Sequence, residues 1–95
     1  MEWITFYLDH NKKYEFENNL LPYLWKAHGT LLEMSGLTWI AYSEQIDDNN
    51  YRYLFCCDSR FFLKFIKAFV GDFSRVHSVP YIDDMVCLSP ENLNT

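Results

Sequence analysis

The feature that most constrains this chain is its aromatic content: it holds eight Phe, seven Tyr and three Trp among 95 residues. A domain of this size buries only about 60–65% of the surface that its unfolded chain exposes, so its interior is small. Rings at this density supply more apolar area than such an interior needs. We therefore expect some aromatic side chains to lie on the surface, where a cluster of them marks a contact site.

The charge balance adds a second constraint. Thirteen acidic residues stand against eight Lys and Arg, which leaves a net charge of −5. The segment 60–77 is an exception, because it holds four basic residues and only one acid, so we expect one mildly basic face on an acidic protein. Nucleic-acid binding needs a larger basic stripe, and no direct contact with nucleic acid is expected.

Length and composition indicate one α+β domain over residues 1–90, followed by a polar tail at 91–95. No apolar run is long enough to span a bilayer, and the N-terminus lacks the basic and apolar segments of a secretory signal. The three cysteines are an odd number, and Cys56 and Cys57 are adjacent. Reduced thiols and a cytoplasmic location are therefore expected.

Runs of β-branched and aromatic residues predict four strands, at 2–8, 37–46, 51–57 and 81–88. The polar sequence Asp-Asp-Asn-Asn at 47–50 separates the second run from the third and predicts a hairpin turn. Residues 30–36 fit either a last helical turn or a short strand, and the pattern leaves both open.

Two helices are predicted, at 12–28 and 60–77. In the first, Pro22 predicts an irregular start and Gly29 predicts the end. The second follows an Asp58-Ser59 cap, and its apolar residues recur at helical spacing, namely Phe62, Phe65, Ile66, Phe69 and Phe73. Gly71 is expected only to weaken the later half of this helix.

The predicted order β-α-β-β-α-β resembles the ferredoxin-like fold, a four-stranded antiparallel sheet with two helices on one face. The other face of such a sheet is open to solvent. If Phe6 faces the helices, strand alternation turns its neighbours outward, namely Trp3, Thr5 and Tyr7. Depending on register, further rings join that open face: Trp39 or Tyr42, and Tyr51 and Tyr53.

The sequence contains no recognisable catalytic or metal-binding motif. Metal-binding cysteines are usually separated by about two to four residues, whereas Cys56 and Cys57 are adjacent. The three His residues show no ligand spacing, and no nucleophile motif is present. We expect no enzyme activity, no cofactor and no metal, with one alternative left open: an enzyme that uses His10 or His28 with nearby acids.

Acidic pairs and exposed rings predict a protein-binding surface. The pairs Asp47-Asp48 and Asp83-Asp84, with Glu44, are expected to contact Arg and Lys of a basic partner. The predicted contact set is Trp39, Glu44, Asp47, Asp48, Tyr51, Tyr53, Asp83 and Asp84. We expect an inhibitor of a nuclease or nucleic-acid-handling complex, of the toxin-immunity or phage anti-defence type. The alternative is a homo-oligomeric ligand-binding or regulatory domain, with the rings buried between subunits.

Overall fold

The computed structural model of the chain describes residues 2–23, 39–57, 60–79 and 81–88. Within these ranges the chain forms five strands and two helices, which confirms the mixed α+β class. The elements are β1 (Glu2–Asp9), α1 (His10–Glu15), β2 (Trp39–Gln45), β3 (Asn50–Cys57), α2 (Arg60–Val70), β4 (Ser74–Arg75) and β5 (Val86–Cys87). A π-helical segment, Phe16–Leu20, continues α1.

The five strands form one antiparallel sheet in the order β4-β1-β3-β2-β5. At its centre β1 pairs with β3 along the whole length of both strands, from Glu2 opposite Cys57 to Asp9 opposite Asn50. The predicted four-stranded ferredoxin-like sheet is wrong in strand number and order, because two short strands lie at the edges and β5 joins β2.

The hairpin between β2 and β3 is confirmed, and its turn is held by the predicted polar residues. The Ile46 N–H donates to the Asn50 carbonyl at 2.9 Å. The Asp47 carboxylate accepts from the Asn49 N–H at 2.9 Å and from the Asn50 amide at 3.0 Å. A short polar side chain that bonds the backbone two residues ahead is a common way to close such a turn.

The second helix is shorter than predicted, because it ends at Val70 and not at residue 77. Gly71 has a φ of +85°, a left-handed conformation that glycine adopts without steric cost. Its N–H donates to the Lys67 carbonyl at 2.9 Å and closes the last turn. The chain beyond it forms β4 at Ser74–Arg75, beside β1. Gly71 therefore ends the helix, which the prediction missed.

The predicted strand at 81–88 is also shorter, because only Val86 and Cys87 pair, and they pair with β2. Ahead of them a turn forms in which the Met85 N–H donates to the Ile82 carbonyl at 3.0 Å. Backbone groups that form hydrogen bonds within a turn are not available to pair with a neighbouring strand, and this shortens the strand.

The first helix begins at His10, two residues earlier than predicted, because the Asp9 carboxylate caps it by accepting from the Lys12 N–H at 2.8 Å. Its irregular part is the π-helical segment Phe16–Leu20, which lies inside the helix and just ahead of Pro22. Pro22 lacks an N–H and crowds the carbonyl four residues earlier, which is consistent with a widened turn there.

Several predictions fall outside the described residues: the end of the first helix at 24–28 with Gly29, the segment 30–36, the Asp58-Ser59 cap and the tail at 91–95. The domain boundaries stay a prediction.

The core lies between one face of the sheet and the two helices, and we call this the inner face. Alternate residues of β1 supply Ile4, Phe6 and Leu8, and the helices supply Phe16, Leu21 and Ile66. The phenylalanine spacing of α2 is confirmed for Phe65 and Phe69, which pack against this core; Phe73 also packs there, but it lies beyond the end of the helix at Val70. Both helices thus cover the same side of the sheet.

Candidate functional site

The opposite side of the sheet, which we call the outer face, carries the other alternate residues of the three long strands. They are Trp3, Thr5 and Tyr7 on β1, Ile40, Tyr42 and Glu44 on β2, and Arg52, Leu54 and Cys56 on β3. The orientation expected for β1 is confirmed, because Phe6 is buried and Tyr7 is 62% exposed.

An aromatic bridge covers part of the outer face. Trp3 and Tyr42 belong to strands that are both neighbours of β3, about 10 Å apart. Their rings nevertheless stack with centroids 6.1 Å apart and planes at 23°, so they meet above β3. Leu54 and Cys56 of β3 lie beneath this pair and are buried, and neither α1 nor α2 packs on this face. Stacking of Trp3 on Tyr42 therefore hides some of the surplus aromatic area on the outer face.

Two of the rings predicted to be exposed are buried on the inner face. Trp39 is 1% exposed and Tyr53 is 0% exposed, so the expectation that they line an open surface is wrong. The register explains it, because Trp39 shares its face with Ala41 and Ser43, and Ser43 lies opposite Tyr53.

The positions of charged residues in the side-chain alternation of the strands are the signal that would have assigned these faces. Glu44 on β2 and Arg52 on β3 avoid the apolar core, so Trp39 and Tyr53, at odd spacing from them, must face inward.

Tyr51 occupies an intermediate position at the rim of the core. It is partly buried against the core residues, and the Lys13 Nζ lies 4.9 Å from the centre of its ring. The ring of His10 lies 6.3 Å away. Tyr51 is therefore held by neighbours from α1 and is not the freely exposed ring that was predicted.

The Tyr53 hydroxyl belongs to a structural network. It donates to Glu17 Oε2 at 3.3 Å, and Glu17 forms an ion pair with Lys13. Burial of the ring, and then the negative charge of Glu17, raise the pKa of Tyr53 far above its ordinary value. The raised pKa keeps this phenol protonated at neutral pH, so its hydroxyl donates to Glu17 and ties the π-helical segment to β3.

The predicted acidic residues differ in how much of their charge is available. Glu44 Oε1 lies 2.6 Å from the guanidinium of Arg52, so its charge is compensated. Asp47 accepts hydrogen bonds within its own turn. The bond from the Asn49 N–H makes the largest contribution to lowering the pKa of the Asp47 carboxyl. Asp48, Asp83 and Asp84 are exposed.

The strand register directs the two acidic pairs towards the same end of the sheet. Strand β5 runs antiparallel to β2, with Cys87 opposite Tyr42 and Val86 opposite Ser43. The residues that precede Val86 therefore run towards Gln45, the residue at which β2 ends and the hairpin turn begins. We call this region, with Asp47, Asp48, Asp83 and Asp84, the acidic end.

A groove of 380 Å³ lies on the outer face beside the aromatic bridge. Its lining residues come from β1, β3 and the segment around β4, and they are Thr5, Tyr7, Arg52, Leu54, Arg75, Val76, His77 and Ser78. The Val76 N–H donates to the Trp3 carbonyl at 3.0 Å and fastens this segment to β1. The predicted basic face is thus divided, because Arg75 lines the groove whereas Lys64 and Lys67 lie on α2.

Among the described residues no three or more His, Cys, Asp and Glu side chains are grouped so that they could hold a metal ion. In the same part of the chain, no helix combines the length and apolar character needed to cross a membrane. His10 stands at the start of α1, and His77 lines the groove. Comparison of the chain with protein-family models, with curated proteins and with solved structures gives no match.

Proposed function

We propose that this chain is a non-enzymatic protein that binds a basic protein partner through its acidic end and inhibits it. The proposal rests on the register of β5 against β2, which directs two acidic turns from separate segments of the chain towards the same end of the sheet. Clustered carboxylates offer a basic cleft the same charge that the phosphates of a nucleic acid would offer. The partner class is therefore a nuclease or another nucleic-acid-handling protein.

Exposed apolar side chains adjoin both acidic turns and are suited to serve as anchors. Ile46 precedes Asp47 and is 51% exposed, while Tyr81 and Val86 flank the other pair and are 74% and 61% exposed. Apolar anchors within a polar rim supply most of the lasting affinity of an interface. In this proposal they take the role that the sequence assigned to Trp39 and Tyr53.

The four aspartates have different roles in the proposed interface. Asp47 already accepts hydrogen bonds from Asn49 and Asn50, so it mainly shapes the turn. Asp48, Asp83 and Asp84 are the carboxylates proposed to contact the Arg and Lys residues of the partner. Glu44 is left out of the contact set because Arg52 compensates its charge.

The test uses two double variants that remove the same number of negative charges. Asp83→Asn with Asp84→Asn alters the acidic end, whereas Glu15→Gln with Asp72→Asn alters exposed acids elsewhere. The wild-type protein is used to capture its partner from the native host, and the purified partner is assayed for nuclease activity with each protein added. Association and dissociation rates are then measured at low and high salt.

We expect the captured partner to be basic and to lose nuclease activity when the wild-type protein is added. The variant of the acidic end should associate at least about tenfold more slowly at low salt, and dissociation should change less, because exposed charges act mainly on the encounter. High salt should remove the difference. Equal association rates for the two double variants, or an uninhibited partner, would refute the proposal.

A second candidate function is a homodimer that buries the outer face, and one observation favours it. Tyr7 is 62% exposed on the same face as the bridge of Trp3 and Tyr42. Light scattering of the pure protein separates the candidates. A stable dimer that Tyr7→Ser converts to a monomer would favour the second function, and a wild-type monomer would exclude it.

A further inference from the structure

The acidic end is too small to hold a protein partner by itself. A stable interface buries about 800 Å² on each side and engages about 20–30 residues there, which is more than two short turns contain. A partner seated on the acidic end therefore also covers a neighbouring surface. Asp9, at the end of β1, lies opposite Asn50, and the Asn50 amide donates to the Asp47 carboxylate at 3.0 Å. The chain on both sides of Asp9 thus adjoins the acidic end.

Within the described residues, two surfaces start from Asp9. The outer face lies along β1 before it, and the helical side, formed by α1, the π-helical segment and α2, begins at the next residue. The helical side is cationic. Its first helix and the π-helical segment hold two lysines and two glutamates, whereas α2 holds one arginine, two lysines and no acid. This surplus of three positive charges repels a basic partner.

The outer face is different, because its charges cancel. Of the outward residues of the three long strands only Glu44 and Arg52 are charged, and their side chains lie 2.6 Å apart. Arg75 stands on β4 opposite Ile4, farther from the acidic end than Tyr7. Charge complementarity therefore directs a basic partner from the acidic end onto the outer face and away from the helices.

Tyr7 is the ring best placed to hold a partner on this surface. It stands two residues before Asp9, about 7 Å along β1, and its side chain is 62% exposed. It lies opposite Arg52, which in turn lies opposite Glu44, so polar side chains border it. Aromatic residues within a polar rim are frequent hot spots of interfaces, and a tyrosine ring also attracts the guanidinium or ammonium group of a basic partner.

We propose that the basic partner binds the acidic end and extends over the outer face, with Tyr7 as its aromatic anchor. The inference rests on the proposed function and identifies the side of the sheet on which that partner lies. Carboxylates of the acidic end speed the encounter, and the ring of Tyr7 slows dissociation.

The test compares two tyrosines of similar exposure on opposite sides of the sheet. Tyr7→Ser alters the outer face, and Tyr14→Ser is the matched control, because Tyr14 is 67% exposed on α1. The probe is the nuclease captured by the wild-type protein, and its association and dissociation rates are measured with each variant. Hydroxyl-radical footprinting of the wild-type complex, read by mass spectrometry, measures the protection of both rings without any substitution.

We expect the complex of Tyr7→Ser to dissociate about tenfold faster, as for the loss of a hot-spot side chain, with little change in association. Tyr14→Ser should leave both rates unchanged. In the wild-type complex Tyr7 should be protected, and Tyr14 should react as it does in the free protein. A circular dichroism spectrum reports whether each variant is folded, and if Tyr7→Ser is not, the footprint decides the question.

Equal dissociation rates for the two tyrosine variants, or protection of Tyr14 in place of Tyr7, would overturn the role of the outer face and leave inhibition through the acidic end intact. A wild-type dimer that Tyr7→Ser separates would show that a second copy covers this face, which also overturns the inference. Failure to capture a basic nuclease would overturn the proposed function and this inference with it.

Discussion

Replacing Phe16 with alanine tests whether the aromatic cluster of the inner face holds the first helix on the sheet. Phe16 is completely buried. Its ring meets Phe6 edge-on at 5.5 Å and Tyr53 edge-on at 5.0 Å, and Phe69 lies at 5.8 Å. Each favourable aromatic pair adds about 0.5–1.5 kcal/mol beyond the burial of area.

The expected loss for Phe16→Ala is about 4 kcal/mol, within the usual range of about 3–5 kcal/mol for a buried phenylalanine. Since a 95-residue domain has a free energy of unfolding of about 5–14 kcal/mol, the substitution would remove a large share of it. Phe16→Leu keeps most of the volume and loses mainly the edge-on contacts, so about 1.5 kcal/mol is expected.

Urea unfolding followed by tryptophan fluorescence measures both losses. With a slope of about 1 kcal/mol per molar urea, Phe16→Leu should lower the midpoint by about 1.5 M. Tyr14→Ala is the matched control, because Tyr14 lies on the same helix and is 67% exposed, and it should change stability by less than about 0.5 kcal/mol. A loss below about 1 kcal/mol for Phe16→Ala, or an equal loss for Tyr14→Ala, would refute this account of the core.

Three further substitutions test single features of the fold. Gly71→Ala should lower the free energy of unfolding by about 1 kcal/mol, because its φ of +85° is strained for a residue with a Cβ; Gly71→Asn should cost less, and an equal cost in urea titrations would contradict the assignment. Tyr53→Phe should cost about 1 kcal/mol by removing the hydrogen bond to Glu17, and an unchanged melting temperature would count against that bond. The lowered pKa of Asp47 stabilises the fold above the ordinary value of 3.8, and this contribution disappears as pH falls through the folded value, so Asp47→Asn should be less stable than wild type at neutral pH, and the difference should shrink as the pH falls below 3.8. Parallel stability curves for the two proteins would show that the turn does not depend on this carboxylate.

Local patterns in the sequence predicted the elements whose causes are local. The tetrad at 47–50 closes its turn with its own side chains, and the spacing of Phe65, Ile66 and Phe69 follows from the helical repeat alone. The end of α2 at Gly71 was within reach of the same reasoning. Glycine after the last apolar position is a frequent stop signal.

The faces of the strands required the tertiary structure. A strand has a side-chain period of two, so the whole set of inward residues depends on one parity that neighbouring strands decide together. Ser43 pairs with Tyr53 and Ala41 pairs with Phe55, and this register places Trp39 on the inner face. It places Tyr42 on the outer face, where its ring stacks on Trp3 above β3.

What the sequence by itself determined is the class of the protein, its hairpin, its amphipathic helix and the surplus of rings and carboxylates. What only the tertiary structure decided is where those groups meet. The groove joins Thr5, Arg52 and Arg75, and the pairing of β5 with β2 directs acidic turns that are 36 residues apart in the chain towards one end of the sheet. Such contacts depend on pairings between strands that are far apart in the sequence. No local pattern contains the free energy of such a pairing, because that free energy depends on the other strands of the sheet.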